Sequence, residues 1–267
     1  IEVQKNALQE FDGFVEKLRS FGVSVTVIED TQEPPTPDSI FPNNWVSFHA
    51  DGRTVLYPMF AQNRRAERRF DILKSLNRNN SQVLDMSEHE SENCFLEGTG
   101  SMVLDRNIMV AYACLSERTN QDLFHSWAAD MSYSICDFHA TQIVKGIETP
   151  IYHTNVMMSV GEDFAIICLD VIRNLEERNQ VLSSLKSTNH KIIEITENQV
   201  NHFAGNMLQL RNEIDEKFLV MSTQAFESLS DTQIAAIELS STIIHSRLDT
   251  IENFGGGSAR CMLAEIF

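Results

Sequence analysis

The chain lacks the short motifs that announce the commonest enzyme classes. It contains no H-E-x-x-H, no G-x-x-x-x-G-K-[ST] and no G-x-G-x-x-G. Zinc-protease, P-loop and Rossmann readings therefore have no support. No apolar run is long enough to span a bilayer, and no basic, apolar leader opens the chain, whose first residue is Ile. Basic residues are scarce: 21 Lys and Arg stand against 38 Asp and Glu, a net charge of −17. Such a surface repels phosphate backbones and argues against a nucleic-acid partner. The cysteines, Cys94, Cys114, Cys136, Cys168 and Cys261, are odd in number and widely spaced, with no C-x-x-C. That pattern suggests neither a disulfide framework nor a zinc site and fits a reducing cytoplasm. No Pro- or Ser-rich linker divides the chain, so one domain over residues 1–267 is expected.

What is present is rhythm. Helical periodicity recurs at 5–20, 62–77, 117–130, 174–187 and 230–240, with starts roughly 55 residues apart. Short β-like runs follow each helix: "VSVTVIED", "QVLDM", "SYSICDF", "KIIEIT" and "STIIHS". Pairs of strand-like runs then lead on, as in "WVSFH" with "TVLYP" and "NVMMSVG" with "FAIICLD". The turns at 50–53 and 161–163 suit hairpins. The expected fold is α/β, built from five similar units. A closed ring of such units would gather residues from every unit at a central pocket.

Cys261 follows a glycine-rich approach in "GGGSARCMLAEIF", which reads as the entry to a core strand. Glycines let backbone approach a ligand closely, which suits a reactive thiol at a pocket floor. A buried structural cysteine is the plain alternative. A nucleophile needs a base, and His153 in "YHTNVMM" is the best candidate, with Asn155 on the same face of an extended chain. Glu97, in "FLEGTGSMVLD", is a carboxylate closing an apolar run; if buried, it needs a partner. Asn43 and Asn44 precede Trp45 in "FPNNW" and supply amide donors and acceptors. Arg64 and Arg65 in "NRRAER" could grip a carboxylate bidentately, or form an exposed basic face.

Taken together, "FPNNW", "NRRAER", "FLEGTGSMVLD", "YHTNVMM", "FAGNML" and "GGGSARCMLAEIF" resemble the guanidine-modifying superfamily. The nearest branch is the amidinotransferase-like, arginine-deiminase-related group of citrulline-utilisation hydrolases. The resemblance runs from about residue 7 to the last residue. It implies the pentein fold, a five-fold pseudosymmetric α/β propeller, in which an additional N-terminal strand usually precedes the first helix and is missing here. It implies Cys261 as nucleophile, His153 as general acid and base, and Glu97 as the carboxylate that orients it. It also implies Arg64 or Arg65 at the substrate's α-carboxylate and Asn206 at the pocket. No cofactor or metal is implied. The partner is a small amino-acid substrate, and a homo-oligomer is common in the superfamily.

Two departures stand out. Asn44 and Asn155 occupy places where arginine deiminases carry aspartates. A guanidinium only donates hydrogen bonds, whereas a neutral ureido group also accepts them. The expectation is hydrolysis of a ureido C–N bond, with citrulline giving ornithine, carbon dioxide and ammonia. Arginine deimination, a dihydrolase reaction, amidino transfer to an amine and a non-catalytic propeller scaffold remain as alternatives.

Overall fold

The computed structural model describes residues 2–76 and 82–267. One small sheet recurs along them. β1 (Val46–Phe48), β2 (Thr54–Leu56) and β3 (Val83–Asp85) form the first, and β4 (Met102–Asp105), β5 (Val110–Cys114) and β6 (Ser134–Phe138) the second. A hairpin of β7 (Thr141–Val144) and β8 (Ile147–Pro150) follows. β9 (Met158–Val160), β10 (Phe164–Ile167) and β11 (Lys191–Glu194) form the third sheet, and β12 (Leu208–Arg211), β13 (Lys217–Ser222) and β14 (Thr242–Ser246) the fourth. In all four the first two strands are antiparallel and the last two parallel.

That order has a simple cause. Antiparallel neighbours need only a tight turn, as at Gly52 (φ +88°). A parallel return needs a crossover, which the helices supply. In chain order these are α1 (Glu2–Ser20), α2 (Phe70–Ser75), α3 (Gly98–Ser101), α4 (Gln121–Met131), α5 (Leu175–Ser187), α6 (Glu197–Val200), α7 (Thr223–Ser228), α8 (Asp231–Ile237) and α9 (Asp249–Gly255). α2, α4, α5 and the α7–α8 pair each lead from a middle strand to the last strand of its sheet. Middle strands β5, β10 and β13 are buried almost throughout, as strands covered on both faces must be.

The crossover helices start where their sequences say. Asn120 and Asn174 cap α4 and α5, and Ser230 forms a capping box with Gln233 at α8. α4 buries Leu123, Phe124, Trp127, Ala128 and Met131, a stripe at helical spacing. Truncating Trp127 would cost about 3–5 kcal/mol. No helix among the described residues is long and apolar enough to cross a membrane.

The expected strands at 23–30 and 261–267 do not form. Extended backbone is stable only when its N–H and C=O groups find a neighbouring edge, and neither stretch is paired into a sheet. Cys261 sits in a turn instead, its N–H donating to Ser258 O at 3.0 Å. The helix expected over 62–77 is broken into a tight turn, Gln62–Glu67, and α2; its last residue, 77, lies outside the described residues. The arginines cause the break, because Arg64 and Arg68 point their guanidiniums inward onto backbone carbonyls and carboxylates.

The repeat also fixes where chemistry collects. A short turn precedes the first strand of each sheet: Pro42–Asn44 before β1, α3 before β4, Thr154–Val156 before β9, and the turn at 203–206 before β12. Asn44, Glu97, His153, Asn155 and Asn206 all lie at or beside these turns. Glu97 and His153 are 56 residues apart, and Asn206 and Cys261 are 55.

Candidate active site

Glu97 is the residue just before α3 and is fully buried. Its Oε2 lies 2.7 Å from His153 Nε2, and its Oε1 accepts the Phe60 N–H at 3.0 Å. Arg118 stands 3.6 Å from the same carboxylate. Burial alone would raise the pKa of Glu97, but His153, Arg118 and the Phe60 amide outweigh it and hold the carboxyl below its usual range. Burial pushes His153 down, and the hydrogen bond to Glu97 offsets this only in part. The pair is thus a carboxylate orienting a neutral imidazole, with the Nε2 proton on the Glu97 side and Nδ1 left as the basic nitrogen.

Cys261 is buried, with 8% of the residue's surface exposed. Two side-chain amides donate to Sγ: Asn155 Nδ2 at 3.4 Å and Asn206 Nδ2 at 3.2 Å. Asn155 leaves the same turn as His153, so one segment reaches both the imidazole and the thiol. Gly100 is where Asn44 and His153 converge. A Cβ there would collide with Asn44 Nδ2 and lie 2.9 Å from His153 Nδ1.

The free ends of the amides are well defined. Asn44 Oδ1 accepts from Arg64 Nη1 at 2.7 Å, while Asn44 Nδ2 has no partner among the described residues. Asn155 commits Nδ2 to sulfur and leaves Oδ1 without a partner among them. These two amides therefore leave one unmet donor and one unmet acceptor beside the imidazole and the thiol. Buried polar atoms in that condition are costly unless a ligand or water completes them.

The whole chain, residues 1–267, matches the family model described as "N,N dimethylarginine dimethylhydrolase, eukaryotic". The chain belongs to this dimethylarginine dimethylhydrolase family. With it the chain joins the pentein guanidino-modifying superfamily. No curated protein matches the chain in sequence. Among solved structures it is similar to ArgZ, an arginine dihydrolase from the ornithine–ammonia cycle in Cyanobacteria, at 15% identity and a TM-score of 0.75. That match covers 98% of this chain and 38% of ArgZ. The N-terminal domain of ArgZ with bound substrate gives 16% identity and a TM-score of 0.74, covering 98% of this chain and 88% of the domain. A dimethylarginine dimethylaminohydrolase adduct with S-methyl-L-thiocitrulline gives 15% identity and a TM-score of 0.68, with 97% and 87% covered. At these identities the likeness is one of fold, mixed α/β like the pentein enzymes.

In this dimethylarginine dimethylhydrolase family member the two expected arginines are placed differently from one another. Arg64 is buried and engaged inside the fold, bidentate to Glu67 at 2.9 Å on both arms and bonded to Phe41 O and Asn44. Arg65 lies to one side, donating to Met59 O and facing Glu90. It lines a surface concavity of about 390 Å³ with Phe60 and Phe95. A further guanidinium beside the site, 3.6 Å from Glu97, belongs to Arg118, which sequence reasoning missed. It lies 5.4 Å over the Phe60 ring and 5.0 Å over the Tyr152 ring, with Nε unpartnered among the described residues. "SERTN" carries no signal that could have marked it. A concavity of about 700 Å³ elsewhere, lined by residues such as His202, Gln224 and Arg247, shares none of its lining with this site; size alone does not locate the chemistry.

Proposed function

We propose that this protein hydrolyses a C–N bond of the ureido or guanidino group of an amino acid through a covalent intermediate on Cys261, with citrulline the preferred substrate. The carrying observation is the polarity of the two free amide ends. Asn44 offers a donor because Arg64 occupies its oxygen, and Asn155 offers an acceptor because its nitrogen is on Sγ. A ureido group has a carbonyl to meet the first and N–H groups to meet the second. A guanidinium has donors only and would face the Asn44 NH₂ donor to donor. The neighbouring carboxylates are already engaged, Glu97 by His153 and Glu67 by Arg64.

In this reading His153 Nδ1 takes the Cys261 thiol proton as sulfur attacks the ureido carbon, and Asn44 stabilises the oxyanion that develops. The bond to the side-chain nitrogen breaks, His153 protonates the leaving amine, and ornithine departs. His153 then takes a proton from water, which displaces sulfur from the carbamoyl group. Carbamate leaves and decomposes to carbon dioxide and ammonia. Glu97 holds the imidazole in place throughout. Arg118, stacked on Phe60 and Tyr152, is placed to receive the substrate carboxylate. The fold reading that accompanies this is a five-unit ring, in which the N- and C-terminal segments make up the fifth unit.

A second reading has specific support in the family description: hydrolysis of N,N-dimethylarginine, giving citrulline and dimethylamine. The name of ArgZ likewise favours arginine as substrate. A product panel separates these readings. Purified protein is offered citrulline, arginine and N,N-dimethylarginine, with ornithine, citrulline, ammonia and dimethylamine quantified, beside Cys261→Ser as control. Ornithine from citrulline, lost in the variant, supports the proposal. Citrulline as an end product that is not consumed rejects it.

A further inference from the structure

Asn206 is placed by resemblance at the substrate, yet each of its polar contacts is with the protein. Its Nδ2 donates to Cys261 Sγ at 3.2 Å and to Asn155 O at 3.1 Å, and its Oδ1 accepts the backbone N–H of Arg260 at 3.1 Å. The two backbone partners fix the orientation of the amide. The Arg260 N–H can only meet the oxygen, so the nitrogen must face sulfur. The residue is buried, and the turn that carries it is tightly seated. Phe203 has φ +62°, the Asn206 N–H returns to Phe203 O at 2.9 Å, and Gly205 presses its Cα onto the Val156–Met157 backbone so closely that a Cβ would not fit.

We propose that Asn206 is a positioning residue for the nucleophile: it ties the segment before Cys261 to the turn that carries His153 and Asn155, and directs an N–H at sulfur that favours the thiolate. This rests on the reading of Cys261 as the nucleophile. The alternative, a substrate-holding residue, predicts a different kinetic signature. Three fixed segments meet at one side chain, so its loss misplaces sulfur before any substrate arrives. A hydrogen bond to a charged acceptor is among the stronger ones, so its removal lowers thiolate reactivity rather than ligand affinity.

The test compares wild type, Asn206→Ala and Asn206→Asp. Each is alkylated with iodoacetamide from pH 6 to pH 10, the modified cysteine is identified by mass, and folding is checked by circular dichroism. Wild type is expected to react selectively at Cys261. Both variants are expected to react at Cys261 on the order of tenfold more slowly at pH 7, with the deficit shrinking toward pH 10. Steady-state kinetics should show kcat lowered and KM nearly unchanged. Should Asn206→Asp fail to fold, Asn206→Ala decides alone. Alkylation of both variants at the wild-type rate across the pH range, or a raised KM with kcat retained, would overturn the proposal. Indiscriminate labelling of several cysteines in wild type would overturn the underlying reading of Cys261 as well.

Discussion

Arg64 and Asn44 are joined by a 2.7 Å hydrogen bond that decides which end of the amide stays free. Arg64 is itself held by Glu67 on both arms, so it cannot turn away to release the Asn44 oxygen. Asn44→Asp should therefore pair with Arg64 and present a second carboxylate oxygen where an N–H stood. Citrulline kcat/KM is expected to fall by about 10²-fold, since an oxyanion-directed donor becomes an acceptor. Turnover of a guanidinium substrate should fall less. Parallel kinetics on citrulline and arginine measure this.

Gly100 offers a steric test of the same geometry. Gly100→Ala would drive a methyl group against Asn44 Nδ2 and His153 Nδ1. Asn44, which the methyl group would overlap the more deeply, is expected to be displaced further than His153. Activity should drop by about 10²-fold, because small misplacements of catalytic groups are that costly. Thermal unfolding of the variant, measured alongside, separates loss of fold from loss of alignment.

Glu97→Gln removes the charge that orients His153 while keeping a similar shape. The imidazole loses its anionic partner at Nε2, and the proton it must carry to the leaving amine is less well supported. A fall in kcat of at least about 10²-fold is expected, with KM changed little, as read from steady-state turnover.

A pH prediction concerns His49, away from the chemistry. Burial first, and the Arg106 guanidinium second, lower its pKa from 6.5 to about 4. Arg106 donates to its Nδ1, so Nε2 carries the proton toward Ser47 Oγ at 2.9 Å. The unfolded chain takes up this proton at higher pH than the folded one, so protonation favours unfolding. Stability is fully present above pH 6.5 and is lost as pH falls from 6.5 toward 4, by up to about 3 kcal/mol. Urea midpoints measured at pH 7 and 4.5 should show this loss in wild type and a smaller one in His49→Gln.

Much of this architecture was legible before coordinates. Periodicity alone located α1, α4, α5 and α8, because each carries an apolar stripe at helical spacing. The hairpins that open the four three-stranded sheets were marked by alternation and by turns such as that at Gly52, whereas the β7–β8 hairpin was not. The stretches at 23–30 and 261–267 read as strands because their side chains suit a sheet, and no local pattern reveals whether an edge is available to pair with. The tight turn at Gln62–Glu67 was hidden for a similar reason: four arginines suggest an exposed helix until Glu67, Glu90 and the buried carbonyls that hold them are brought near. Glu97, His153, Asn155 and Cys261 were recognisable by motif, and the structure places them in adjoining contacts. Arg118 was invisible because nothing in its own segment refers to Phe60 or Tyr152. The contacts of Asn206 were equally hidden, since all three come from distant turns.

The most direct test of the ureido reading is the ratio of kcat/KM for citrulline to that for N,N-dimethylarginine in the unmodified protein, with ornithine and dimethylamine as the products followed. The free donor on Asn44 and free acceptor on Asn155 predict a ratio well above one and stoichiometric ornithine from citrulline. A ratio below one, with dimethylamine released and no ornithine formed, would contradict that reading and transfer the site to guanidinium chemistry.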